Sequence, residues 1–339
     1  MNIALLGFGT VGQGLAKVIK EKKETLKKRY SMEINIVGVA DSSGAALNEN
    51  GLDVDILLKS KEKGSVSNYP KFGRDLTGSE LIKESNADLI VEATPTNISD
   101  GEPGNTHIRC ALKEKMHVVT SNKGPLALFF SDLVGLAERN KVEFRYEASV
   151  GGAMPIINLA RETLAGNEIL AIVGILNGTT NYILTRMLKE EEPFSYILKE
   201  AQELGIAEAD PTLDISGVDT ACKLVILANT LMNMKQSYRD VKVEGITRIT
   251  PEAMELAWKN GYVIKLIGEA RNSNLEVGPR LVPAHHPLSV EGTLNVAMLE
   301  TDLAGEVTVV GRGAGQKETC SALLSDIIAI HKKMLSEIR

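Results

Sequence analysis

The sequence predicts an α/β protein built on a doubly wound parallel sheet, with a second domain inserted before the chain returns to the first. Three observations predict it. The first third alternates short apolar runs with helical periodicity, the mark of βαβ units and a parallel sheet. At 339 residues the chain is about twice the soft prior of ~150 residues for one domain. Its character also changes near residue 145, where Gly151, Gly152 and Pro155 cluster in EASVGGAMP as a domain entry.

Taken in order, 2–6, 34–40, 88–93 and 117–120 are buried strands. Between the first two, Val11, Leu15, Val18, Ile19 and Leu26 recur at helical spacing, which predicts a helix over 11–29. Its Lys20, Lys22, Lys23, Lys27, Lys28 and Arg29 form the solvated face and exit turn. The stretch 43–79, rich in Gly, Asn, Ser and Lys, reads as a long excursion with little regular structure. Beyond the domain entry come a strand in EILAIVGIL, a helix from about Asn181, and a helix over 196–204 ended by Gly205. A long helix follows over 216–232, then strands at 262–269, 275–281 and 295–299. A glycine-rich GRGAG at 311–315 precedes a last helix.

Composition narrows the function classes. An apolar fraction of 43% and a charged fraction of 24% are those of an ordinary globular protein. A formal charge of -6, from 38 basic and 44 acidic residues, offers no electrostatic attraction to nucleic acid or an anionic membrane. Cys110, Cys222 and Cys320 are odd in number and widely spaced, so no disulfide framework is expected. No run reaches the ~18 apolar residues of a membrane span, and MNIALLGFG carries no basic leader; a cytoplasmic location is expected.

The chemistry starts at Gly7-Phe8-Gly9-Thr10-Val11-Gly12, a GxGxxG directly after an apolar strand and at the start of a helix. One glycine serves the tight turn, one lets a pyrophosphate approach the backbone, and one packs helix on strand. The helix N-terminus then holds the diphosphate, so residues 1–145 are expected to be a Rossmann-type dinucleotide-binding domain. The acidic partner for the ribose, expected about 20 residues onward, is best met by Asp41, which lies later than that spacing. Asp41 favours NAD, while nearby lysines leave NADP open.

Ligands in such sheets collect beyond the carboxyl ends of the strands. Two ends stand out: Ala93-Thr94-Pro95-Thr96-Asn97, and Ser121-Asn122-Lys123-Gly124-Pro125, which puts Lys123 where cofactor and substrate meet. The richest cluster lies in GIAEADPTLDISGVDTACK, where Glu208, Asp210, Asp214 and Asp219 precede Lys223. Gathered carboxylates suit an ammonium group, hence an amino-acid substrate. Ser216-x-x-Asp219 also matches a capping box, and Asp219 with Lys223 fits a surface helix pair. Capping, pairing and catalysis stay open together. A lysine acts as a general base only where desolvation or a cationic neighbour lowers its pKa. The adjacent His285 and His286 lack the spacing of a zinc site, and no GxSxG or Cys–His signature announces a covalent nucleophile.

With these motifs assembled, the chain resembles the homoserine dehydrogenases along nearly its whole length. The likeness rests on GFGTVGQG, ATPTN, SNKGPLA, EASVGGAMP, NGTTNYIL, AEADPTLDISGVDTACKL and GRGAGQKET. It implies NAD- or NADP-dependent interconversion of L-homoserine and L-aspartate 4-semialdehyde, a step toward threonine and methionine. It makes Lys223 the proton donor–acceptor, assisted by Lys123 at the nicotinamide. Glu208, Asp214, Asp219, Gly178 and Thr179 would bind the amino acid. Thr94, Ser121 and Gly315 would complete the cofactor site. A monovalent cation, Na⁺, would be held by oxygens around Glu147, Val150, Gly152 and Met154. The resemblance further implies a homodimer, with 146–304 as substrate-binding and dimerisation domain and 305–339 returning to the nucleotide domain.

Overall fold

The computed structural model describes residues 1–337, which form two compact units: Met1–Ser149 with the chain from Gly315 onward, and Val150–Ala314. In the first unit, β1 (Asn2–Leu6) is flanked by two parallel neighbours, β2 (Asn35–Asp41) and β5 (Leu89–Glu92). Ile3, Ala4, Leu5 and Leu6 are all buried, as a strand covered on both faces requires. β3 (Gly44–Leu47) and β4 (Gly73–Arg74) extend the β2 edge antiparallel. β6 (His117–Thr120) and β7 (Phe144–Arg145) extend the other edge in parallel, giving the order β4-β3-β2-β1-β5-β6-β7. The chain leaves β1 toward β2 and later crosses to β5, so its direction reverses between β1 and β5. That reversal is where such sheets open a crevice for a ligand.

Helix α1 (Thr10–Tyr30) buries Leu15, Ala16, Ile19 and Leu26 and ends at Ser31 in a left-handed conformation, with Lys27, Lys28 and Arg29 facing its negative end. The excursion expected over 43–79 is instead largely structured. Besides β3 and β4 it contains α2 (Val54–Glu62), capped by Asp53, and α3 (Gly78–Glu84), closed by a Thr77/Glu80 capping box. Single apolar anchors, Leu57, Val66, Tyr69, Leu81 and Ile82, fix these short elements among polar residues that blur their periodicity. α4 (Gly104–Lys113) and α5 (Lys123–Asn140) complete the crossovers to β6 and β7.

The second unit is built on a six-stranded sheet in the order β13-β12-β8-β10-β11-β9. Its strands are β8 (Ile169–Ile175), β9 (Lys242–Val243), β10 (Tyr262–Arg271), β11 (Asn274–Pro283), β12 (Leu294–Thr301) and β13 (Gly305–Arg312). All pairings are antiparallel except β9 on β11. The short α6 (Ile156–Asn158) is followed by α7 (Gly178–Glu190), α8 (Phe194–Glu203), α9 (Thr212–Ile215), α10 (Val218–Leu231) and α11 (Pro251–Lys259). α7 starts earlier than expected because the Asn177 side chain accepts the Thr180 amide. The compact units divide after Ser149 and after Ala314, where boundaries after 145 and 304 were expected. β13 pairs along β12 and keeps 305–314 with the second unit. The amide of Glu147 donates to Asp326 Oδ2 at 3.0 Å and keeps the 147–149 turn with the first.

The last described element is α12 (Gln316–Glu337), part of the first unit, where Gln316 Nε2 donates to the Thr10 carbonyl at 2.6 Å. Among the described residues no helix is long and apolar enough to cross a membrane.

Candidate active site

The glycine turn after β1 has three different reasons for its three glycines. Gly7 sits at φ +91°, and a Cβ there would lie 2.5 Å from the Ala93 carbonyl oxygen. A Cβ on Gly12 would collide with the Gly7 carbonyl, so this glycine packs helix against turn. A Cβ on Gly9 would meet nothing within 4 Å. Gly9 is also the N-cap of α1 and offers no side-chain cap, so the first-turn amides of a 21-residue helix are left for an incoming ligand. Open space above uncapped amides fits a diphosphate. Thr10 is exposed and Val11 half-buried, but Phe8 is packed in the core and contributes only backbone.

Asp41 does not stand ready for a ribose. Its carboxylate accepts from Lys61 Nζ (2.7 Å), the Ser43 amide (2.8 Å), the Val66 amide (3.2 Å) and Ser65 Oγ (3.3 Å), and its side chain is 4% exposed. Four donors fill the roughly four acceptor positions of a carboxylate. Burial pushes its pKa up, but the bonds from Lys61, Ser43 and Val66 outweigh burial and hold it below the usual carboxylate range. Asp41 pins the 61–66 segment to the end of β2.

At the other strand ends a buried glutamate, absent from the sequence reading, ties two loops together. Glu92 is fully buried and accepts from the Thr94 amide (3.0 Å), Thr94 Oγ1 and Thr120 Oγ1 (3.2 Å). Its backbone carbonyl accepts from the Ser121 amide at 3.1 Å. Asn122 Nδ2 reaches Thr94 Oγ1 (3.2 Å) and the Pro95 carbonyl (3.4 Å), while its Oδ1 caps α5 at the Gly124 amide. Thr94, Ser121 and half-buried Lys123, the first residue of α5, are thus carried on one hydrogen-bonded frame. Gly315 lies just before α12 at φ +130°.

In the second unit the carboxylate cluster divides. Asn177 Nδ2 donates to Asp214 Oδ1 (2.7 Å) and to Asp219 Oδ2 (2.8 Å), bridging the two acids. Lys223 Nζ lies 2.8 Å from Asp219 Oδ2 and donates to the Leu176 carbonyl at 2.8 Å. An ammonium has three donors, so one N–H of Lys223 has no partner among the described residues. The pair is no surface decoration, with side chains 9% and 6% exposed. Nor is there a capping box at Ser216: the N-cap of α10 is Gly217, without a side-chain cap, and Asp219 sits inside the first turn facing Lys223. Thr179 Oγ1 donates to the Ile206 carbonyl at 3.1 Å, and a Cβ on Gly178 would lie 2.7 Å from the Thr293 carbonyl oxygen. Glu208 is exposed, with its carboxylate unpartnered among the described residues, whereas Asp210 closes a local turn onto Thr212. Asn177, like Glu92, is not singled out by the sequence motifs. Its signal was an N-cap asparagine directly before a helical run.

Of the residues expected around a cation, Glu147 is buried in the 147–149 turn, while Val150 and Met154 are buried and Gly152 adopts a left-handed turn at φ +54°. The Met154 carbonyl already accepts the Ile156 amide at 2.9 Å. Among the described residues no group of three or more His, Cys, Asp or Glu could hold a metal.

A parallel sheet with a diphosphate cradle in one unit, and a buried Asp–Lys pair among carboxylates in the other, define a dinucleotide-dependent oxidoreductase acting on a small polar substrate. The comparisons make this specific. The family model for homoserine dehydrogenase matches residues 155–328, and that for the homoserine dehydrogenase NAD binding domain matches residues 7–147. The homoserine dehydrogenase of Methanocaldococcus jannaschii is 60% identical over 332 residues, covering 98% of each chain. The NAD(+)-dependent homoserine dehydrogenase of Pseudomonas canavaninivorans is 43% identical, covering 98% of this chain and 96% of its own. A solved hyperthermophilic archaeal homoserine dehydrogenase in complex with NADPH superposes with a TM-score of 0.85 at 30% identity, covering 98% of both chains. The chain belongs to the homoserine dehydrogenase family, NAD(P)-dependent oxidoreductases whose general role is in threonine and methionine biosynthesis.

Proposed function

We propose that Lys223 moves the proton of the reaction and that Lys123 assists it. In the reducing direction Lys223 Nζ gives a proton to the aldehyde oxygen of L-aspartate 4-semialdehyde; in the oxidising direction it receives the hydroxyl proton of L-homoserine. The bound nicotinamide supplies the hydride donor or acceptor for C4 of the substrate. Asp214, Asp219 and Glu208 bind the substrate ammonium, with Gly178 and Thr179 lining the pocket. Gly7 to Gly12, Thr94, Ser121, Lys123 and Gly315 hold NAD or NADP.

One observation carries the reading: a lysine 9% exposed, held by an aspartate and a backbone carbonyl, with one N–H unspent among the described residues. The same reading carries a homodimer, a cytoplasmic location, and a monovalent cation held by oxygens of Glu147, Val150, Gly152 and Met154. Hard cations take oxygen ligands, which the Glu147 carboxylate and the backbone carbonyls of this segment would supply.

The test is Lys223→Ala, assayed for L-homoserine oxidation and for NADH binding by fluorescence titration. Loss of general acid–base catalysis costs about 10²- to 10⁴-fold in kcat, while NADH affinity stays as in the unaltered protein. Turnover retained at full rate removes Lys223 from the chemistry.

A further inference from the structure

The strongest unexplained feature of the second unit is Asn295, near the start of β12. It is 1% exposed, and both polar atoms of its side-chain amide are buried without a hydrogen-bond partner. Buried amides in folded proteins are almost always satisfied, so one left bare at both ends calls for a reason. The surroundings have been cleared for it. A Cβ on Gly313 would collide with the Asn295 amide nitrogen, and a Cβ on Gly178 would lie 3.4 Å from its amide oxygen. The amide is therefore wedged between the GRGAG segment and the first residue of α7.

The N-terminus of α7 is the second half of the observation. This 13-residue helix has Asn177 capping the Thr180 amide, but the amides of Gly178 and Thr179 have no intrahelical acceptor. A helix start attracts anions. Asn177 separates this positive end from the carboxylate side of the site, where Asp214, Asp219 and Lys223 gather. An α-amino acid carries both charges, and its two ends need opposite hosts.

We infer that Asn295 binds the α-carboxylate of the amino-acid substrate, its amide N–H joining the first-turn amides of α7. With neither amide atom bonded, no hydrogen bond fixes which end faces the helix, so the donor can take that side when the carboxylate arrives. Asn295 is a specificity residue, since a substrate without the carboxylate leaves its amide bare.

This rests on the proposed homoserine chemistry, and the test separates the two. Asn295→Ala is assayed for KM of L-homoserine, KM of the dinucleotide, and melting temperature of the free protein. KM for homoserine rises about ten-fold, equivalent to about 1.4 kcal/mol, while KM for the dinucleotide stays within two-fold. The melting temperature stays level or rises, because the variant removes an unsatisfied buried amide. The preference for L-homoserine over 3-aminopropan-1-ol, which lacks the carboxylate, shrinks by the same factor. A homoserine KM unchanged in a variant that still turns over overturns the assignment and leaves the parent reading standing. A rise confined to the dinucleotide KM assigns Asn295 to the cofactor instead. A lowered melting temperature with proportionate loss of all activity makes it structural. No homoserine turnover by the unaltered protein removes the parent reading, and the assignment with it.

Discussion

Removing the Asp219 carboxylate tests the buried pair directly. Lys223 and Asp219 are almost enclosed, and Asp219 also receives the Asn177 amide. Asp219→Ala leaves the lysine with only the Leu176 carbonyl and strands one donor of Asn177. Breaking a buried pair from one side costs about 3–5 kcal/mol, far above the 0.3–0.5 kcal/mol or so of an exposed helical pair. For a domain of about 150–250 residues, each kcal/mol shifts the melting temperature by about 2–4 °C. The second unit therefore melts about 6–20 °C lower. Thermal unfolding by circular dichroism reads the shift. The double variant Asp219→Ala with Lys223→Met removes both charges, so its loss is smaller than the losses of Asp219→Ala and Lys223→Met added. A shift under about 2 °C for Asp219→Ala, or strict additivity in the cycle, refutes the buried coupling on which the site is built.

Two further outcomes follow from geometry and burial. Gly9→Ala has room for its methyl and leaves the fold intact while lowering dinucleotide affinity; Gly12→Ala strikes the Gly7 carbonyl and lowers both stability and affinity. Calorimetric titration beside thermal melts separates the pair, and unchanged dinucleotide binding in Gly9→Ala sinks the cradle reading. Lys265 donates to Asn181 Oδ1, Thr185 Oγ1 and the Val290 carbonyl, and burial lowers its pKa to about 8. Between that value and the free-lysine pKa of about 10.4, the unfolded chain binds the extra proton, so stability rises with pH. Urea midpoints measured from pH 7 to 10.5 should show this rise in the unaltered protein and not in Lys265→Met; equal slopes refute it.

The parallel sheet was readable because its strands are nearly all apolar and its first turn spells out its own geometry. Gly7, Gly9 and Gly12 each sit where backbone approach, open space or packing requires no side chain. The 43–79 segment was not readable, since α2 and α3 bury only one or two side chains each and show no clear stripe. The site was legible as a list of residue types and opaque as a set of pairings. Asp219 and Lys223 at i, i+4 fitted a surface pair equally well, and only burial decides between them. Asp41 stood at the right end of the right strand, yet Lys61, twenty residues on, had already claimed it. Glu92, Asn177 and Asn295 lie within apolar runs or at helix starts, and their partners come from distant segments that spacing does not announce.

The charge arrangement of the second unit explains why neutral amides recur in it. Asn177 draws the carboxylates of Asp214 and Asp219 together, Lys223 pairs with Asp219, and Glu208 lies at the exposed side. That carboxylate group suits a substrate ammonium. A zwitterion also brings a carboxylate, and a second arginine or lysine placed to receive it would be drawn to Asp214 or Asp219 instead. Uncharged donors avoid the competition: helix amides are fixed by the backbone, and an asparagine amide, even bonded to both acids as Asn177 is, carries no net charge to neutralise them. On that reasoning Asn295→Lys should bind homoserine worse than Asn295→Ala, because the new ammonium neutralises the acids that the substrate ammonium needs. Tighter homoserine binding by the lysine variant, measured as a lower KM, would show that charge and not neutrality is what the carboxylate subsite lacks.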